Sequence, residues 1–236
     1  MSDWKPKRFW KTAKAIESGG GYTVLLDART VKTPAKADLI VPTMQMAQAI
    51  AAEWEAQEEL LDPRTMPVTR GANAAIDKVR QQRDEVIAML AEYGDSDLLC
   101  YRAAGPEALI KLQVEGWDPM LDWAANILGA RLFAGEGVMH VPQTSDALAK
   151  LRSELETYDD FEIAAAHDLI SLSGSLILAL AVMKNAISAS DAWLLSRIDE
   201  HWQITQWGAD EEAAANEETK RAAFLDAARF YQLSQA

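Results

Sequence analysis

Residues 197–208 read RIDEHWQITQWG and gather Asp199, Glu200, His201 and Gln203 within about three turns of helix, with Trp202 and Trp207 among them. An acid beside a histidine is raw material for general acid–base catalysis or for metal binding. His201 with Asp199 or Glu200 would be the working set of a small metal-dependent hydrolase. Little else in the chain completes such a centre. His140 and His167 fall on separate predicted elements, whereas metal ligands must converge. The single cysteine, Cys100, excludes an internal disulfide and a thiolate cluster. Its setting, DLLCY, reads as a small buried hydrophobe. SLSGS (residues 171–175) lacks the flanking glycines of a nucleophile elbow. Neither a dinucleotide fingerprint nor H-E-x-x-H occurs. Asp95 and Asp97, in GDSD, read as cap-and-turn acids rather than a catalytic dyad. The expectation is no catalytic group, no metal and no cofactor.

A cap at Ser188 with a helix running on to Trp207 places Trp193, Ser196, Glu200, Gln203 and Trp207 on one face. Leu194, Ile198, His201, Trp202 and Thr205 form the neighbouring face, amphiphilic enough to pack inward. The first face sets a carboxylate and an amide between two indoles. It lacks the second titratable group that general-base chemistry needs. Two readings remain: Glu200 ties helices together by hydrogen bonds, or the face is an aromatic patch for another protein.

The elements that must carry this face change character along the chain. Residues 9–42 predict short strands: WKTAKAIE, a turn at SGGG, YTVLLD with period-2 alternation, then ART, VKTP and DLIVP. A module this small cannot bury enough surface to stand alone. From Thr43 the period becomes helical, with Met46, Ile50, Trp54 and Leu61 spaced along one face. Residues 72–93 predict one long amphipathic helix. DLLCYR predicts an extended connector, PEALIKLQVEG a helix, and WDP a turn into MLDWAANILGARLF. VMHVP predicts a short strand, and Thr144 to Tyr158 a helix. A helix apolar almost all round follows, carrying Ile163, Leu169, Leu172, Leu176 and Leu180, where Gly174 and Ser175 would let a neighbour approach closely. The last helix covers about Glu211 to Leu233. The expected fold is α+β, with a β-rich module over residues 1–43 and an α-helical domain over 44–236.

Charge narrows the function. The chain carries a net charge of −13. Residues 1–45 hold eight Lys and Arg against four Asp and Glu, leaving fifteen against thirty-two in the remainder. So acidic a body has little use for a phosphate backbone, so nucleic acid is not an expected partner. The most apolar stretch, Leu169 to Met183, falls short of the roughly 20 residues that span a bilayer. The opening MSDWKPKRFWK has no signal-type apolar segment. Together these features predict a protein of a reducing compartment, without membrane insertion.

Several motifs, taken in order, resemble the ATP-twelve chaperone family, assembly factors for the alpha subunit of the F(1) sector of ATP synthase. They are Arg8-Phe9-Trp10, Leu26-Asp27-Ala28-Arg29 with Lys32-Thr33-Pro34, Glu53-Trp54-x-x-Gln57, Met66-Pro67-Val68-Thr69 and Ala75-Ile76-Asp77. Asp97-x-x-Cys100-Tyr101-Arg102, Gln113 with Trp117-Asp118-Pro119, Gly174-Ser175 and Asp199-Glu200-x-x-Gln203-x-x-x-Trp207-Gly208 continue the match over about residues 7–215. Ala28 departs from the family's usual glycine and would restrict the hairpin turn.

The resemblance implies a binding protein without catalytic activity. It would hold the newly made alpha subunit, covering the surface that later pairs with beta. The glutamate of the D-E-x-x-Q motif, functionally sensitive in the family, falls on Glu200. Gln203 and Trp207 join it as client-binding candidates, followed by Trp54, Trp117 and Asp118. Trp54 and Trp117 read more readily as core anchors than as client contacts. Family members work in the mitochondrial matrix or the bacterial cytoplasm, and the absence of a presequence points to the latter.

Overall fold

Three consecutive glycines turn the chain at the tip of its first hairpin. In the computed structural model of the protein, which describes residues 7–208 and 210–236, Gly19 and Gly20 take φ of +60° and +87°. They reverse β1 (Ala13–Ser18) onto β2 (Gly21–Leu26), antiparallel, with Ala13 opposite Leu26 and Ser18 opposite Gly21. β3 (Arg29–Thr30) completes a sheet of order β1-β2-β3. At the second turn the positive φ falls on Asp27, at +54°, and Ala28 has none, so alanine there strains nothing. The Asp27 carboxylate accepts the backbone N–H of Thr12 at 3.0 Å and of Lys11 at 3.1 Å. The Thr12 bond, foremost, holds that carboxyl below its usual range. VKTP and DLIVP add no strands; Lys32 bridges Asp38 and Val41 bridges Tyr22 as isolated pairs. With the helices that follow, the fold class is α+β.

The described residues form two compact units. One gathers residues 7–83 with Asp160–Ala165 and Arg229–Ala236; the other gathers Asp84–Asp159 with the described part of Ala166–Ala228. In the first, Thr43 caps α1 (Met44–Glu55) by accepting the Met46 N–H at 3.1 Å, and α1 buries Met46, Ala47, Ile50 and Ala51. Glu53 accepts the N–H groups of Val68 and Thr69 at 2.7 and 2.8 Å, closing the exposed start of α2 (Pro67–Asp77). The long helix expected over 72–93 is broken. α2 ends at Asp77, a 3-10 turn covers Val79–Gln81, and α3 (Arg83–Glu92) begins after Gln82 leaves helical geometry at φ −135°. Tertiary contacts override the local pattern there. Asp77 accepts the Ala35 N–H at 3.0 Å, while Arg80 and Arg83 share the Asp160 carboxylate at 3.0 and 3.2 Å.

The second unit is built around α7 (Leu176–Met183), all eight of whose residues are buried. It does not continue α6 (Asp160–Ser173) as the apolar run predicted. Gly174 takes φ +74° and Ser175 caps a new helix. Gly174 thus serves the backbone turn, and its neighbour Leu98 donates its N–H to the Gly174 carbonyl at 3.1 Å. The break is held by Asp97, fully buried, whose carboxylate accepts the Ser175 hydroxyl at 2.8 Å and the N–H groups of Leu99 and Ile177 at 3.0 Å each. Burial pushes its carboxyl up to about 6 against those donors.

A 3-10 turn, Leu98–Cys100, leads into β4 (Tyr101–Arg102), which pairs in parallel with β5 (Gly135–Glu136). VMHVP is thus loop rather than strand. Cys100 is buried, and burial raises its thiol to about 12. α4 (Glu107–Trp123) runs straight through Pro119 where a turn was expected. Proline removes the partner of the Glu115 carbonyl, but Glu115 is exposed and water can replace it. Leu109, Gln113 and Trp117, one turn apart, anchor that helix inward. A π-helical turn, Ala124–Leu128, follows, and α5 (Ser145–Glu156) is capped by Thr144. Among the described residues no helix is long and apolar enough to cross a membrane.

Candidate functional site

Ser188 caps a helix as expected, its hydroxyl accepting the Asp191 N–H at 3.0 Å. That helix stops early. α8 (Ala189–Ser196) and α9 (Ile198–Trp207) are separated by Arg197 at φ −114°, ψ 15°. The buried Ser196 hydroxyl donates to the Trp193 carbonyl at 2.7 Å, a back-bond of the kind that bends helices. Arg197 then occupies the corner. Its guanidinium lies 4.9 Å from the Trp193 ring centroid, and Nη1 donates to Glu200 Oε1 at 2.9 Å.

The break divides the face drawn from a single helix. Trp193 and Ser196 are buried, while Glu200, Gln203 and Trp207 are exposed, Trp207 to 80%. Glu200 is therefore not flanked by two indoles. Its outer neighbours on α9 are Gln203, Ile204 and Trp207, a stripe about 100° wide. No residue of α9 is buried, so the helix owes its position to what pins it.

Those pins lie on α4. A Cβ added at Gly116 would sit 2.8 Å from Ile198 and 2.9 Å from Leu195, so glycine permits the close approach of α4 to α8 and α9. The fully enclosed Trp117 donates its indole N–H to the Leu195 carbonyl at 2.8 Å. Buried Gln113 donates to Asp199 Oδ1 at 2.6 Å while its own carbonyl accepts the Ala103 N–H at 2.8 Å. Arg102 stacks 5.4 Å from the Trp117 ring centroid and donates to Asp118 at 2.6 Å.

Of the six predicted residues, the structure gathers Glu200, Gln203 and Trp207 on one exposed stripe. It ties Trp117 and exposed Asp118 to the same framework. Trp117 cannot touch a partner as folded, because its side chain has no surface; it positions α8. Trp54 belongs to the other unit, half-buried, its ring 5.0 Å from that of Trp10. The sequence reading missed Arg197, Arg102 and Gly116 as positioning residues. Their partners lie across a bend or on another element, which no local spacing signals.

The metal alternative is corrected by the same geometry. His201 Nε2 lies 2.7 Å from Glu217 Oε1 on α10 (Glu211–Gln235), Asp199 is held by Gln113, and Glu200 by Arg197. Among the described residues no group of three or more His, Cys, Asp and Glu is placed to hold a metal ion.

Comparison with known proteins gives concordant results. The family model described as ATP12 chaperone protein matches residues 7–125. The mitochondrial protein atp12 of Schizosaccharomyces pombe is 25% identical over 219 residues, spanning 88% of this chain and 75% of that protein. The crystal structure of Atp12 from Paracoccus denitrificans shares 50% identity with a TM-score of 0.93, covering 97% of this chain and 98% of that one. A mutant of P. denitrificans Atp12p reaches a TM-score of 0.94 at 50% identity, covering 99% and 100%.

Proposed function

The chain belongs to the ATP12 chaperone family, assembly factors of ATP synthase, and from that premise we propose that it holds the unassembled F(1) alpha subunit through the outer stripe of α9, shielding the surface that beta later covers. The role is binding without turnover, in the bacterial cytoplasm or its mitochondrial counterpart.

One observation carries the reading: an indole exposed to 80% stands at the end of a helix that is itself fixed by Arg197, Gln113 and Gly116. Exposed aromatics on a pre-ordered support are the usual anchors of protein recognition, because little side-chain freedom is lost on binding. Glu200 and Gln203 beside it supply polar groups that orient the contact. A ring subunit waiting for its neighbours exposes apolar surface prone to aggregate, and a holder must mask it yet yield it.

The test is titration of purified chaperone into soluble isolated alpha. Submicromolar binding is expected, weakened at least tenfold by Glu200→Lys with an unchanged melting temperature. Failure of folded chaperone to bind alpha sinks the proposal. A large fall in melting temperature with Glu200→Lys would make the residue structural instead.

A further inference from the structure

We propose that the loop 133–143 is a second, pre-ordered apolar contact for the held subunit, presenting Val138 and Met139 to it. The inference rests on the chaperone reading and adds to it a surface remote in sequence from α9.

Val138 is 93% exposed and Met139 78% exposed. Apolar side chains at a loop tip normally escape water by folding back; here the base of the loop prevents it. Gln143, buried, grips both limbs. Its carbonyl accepts the Phe133 N–H at 2.8 Å, and its amide donates to the carbonyls of Phe133 at 2.9 Å and Val141 at 3.0 Å. The Asp95 carboxylate accepts the Gln143 N–H at 2.9 Å and lies 2.9 Å from His140 Nε2. Gly137, at φ +80°, donates its N–H to the Arg102 carbonyl at 2.8 Å, just beyond the β4–β5 pairing. So many bonds at the base, with two hydrophobes held outward, describe a contact whose ordering cost is met before the partner arrives.

Arg102 also donates to Asp118 on α4, and α4 lies against α8 and α9 through Gly116. One framework therefore displays both the α9 stripe and the loop tip. Area argues for two contacts. A stable interface takes about 800 Å² per partner, roughly 20–30 residues, and four side chains on α9 fall well short. The occupant is a protein rather than a lipid surface, since a chain of net charge −13 is repelled by anionic headgroups.

The test replaces Val138 and Met139 together by serine in the full chain. The expected result is alpha binding weakened about tenfold or more with an unmoved melting temperature. A photo-cross-linking side chain at position 138 should attach to alpha. Unchanged affinity, or no cross-link while wild type binds, overturns the loop contact and leaves the α9 reading standing. No binding by wild type removes both. Co-sedimentation with 3:1 phosphatidylcholine–phosphatidylserine vesicles that the double variant loses would overturn it in favour of a membrane contact.

Discussion

Trp117 and Trp207 are the same residue in opposite settings, and truncating each to alanine should separate framework from contact. Trp117 is fully enclosed and its N–H satisfies the Leu195 carbonyl at 2.8 Å. Trp117→Ala removes a buried indole, at about 3–5 kcal/mol with the cavity included, and leaves that carbonyl unpaired. For a chain of this length each kcal/mol moves the melting temperature by about 2–4 °C, so a fall of about 10 °C is expected. Trp117→Phe keeps most of the volume and should cost about 1–2 kcal/mol, mainly the hydrogen bond. Trp207 makes almost no contact within its own chain, so Trp207→Ala should change stability by less than about 0.5 kcal/mol. As an anchor for alpha it should cost about 2 kcal/mol of binding, or roughly thirtyfold in Kd. Thermal melts by circular dichroism and titration calorimetry against isolated alpha read the two effects separately. A Trp117→Ala protein melting within about 2 °C of wild type, or a Trp207→Ala protein that binds alpha normally, would refute the division.

Three further outcomes follow from the same geometry. Gly116→Leu should cost about 1–3 kcal/mol through overpacking against Ile198 and Leu195 and weaken alpha binding, whereas Gly116→Ala, meeting only flexible side-chain ends, should be mild; melts and titrations distinguish them. Arg197→Met loses its stacking on Trp193 and its bond to Glu200, about 1–2 kcal/mol together, with a larger loss in binding than in stability. The Asp97 carboxyl is raised in the folded state to about 6 from about 3.9 unfolded, so the native protein binds that proton more tightly. Its stabilisation is complete below pH about 4 and is lost as pH rises to about 6, on the order of 3 kcal/mol; urea melts across that window should show the slope in wild type and lose it in Asp97→Asn.

What was legible in the sequence was whatever depends on neighbours along the chain. Period-2 alternation and three glycines specify the first hairpin, because strand faces and positive φ are local properties. Thr43, Thr144 and Ser188 announce helix starts, since each cap reaches a backbone N–H only three residues ahead. The motif from Asp199 to Trp207 lies within one helix, so its exposed face could be drawn from spacing once the helix boundaries were known. Buried Cys100 followed from its apolar neighbours.

Tertiary structure decided where helices break and which polar groups work together. Residues 72–93 and the apolar run through Gly174 carry helical patterns from end to end, yet each is interrupted by a carboxylate from elsewhere in the sequence, Asp160 for the Arg80–Arg83 break and Asp97 for Ser175. The bend at Arg197 moved Trp193 and Ser196 into the core and left Glu200 and Trp207 outside, a separation no periodicity contains. Conversely, Pro119 did not end α4, because the one carbonyl it leaves without a partner, that of Glu115, faces water. The cause is clearest at Ser175, where Asp97 is buried, and at Arg197, where Trp193 is enclosed. A local pattern is worth a few tenths of a kcal/mol per residue, whereas satisfying a buried carboxylate or enclosing an indole is worth several, and those partners are brought together only by the fold.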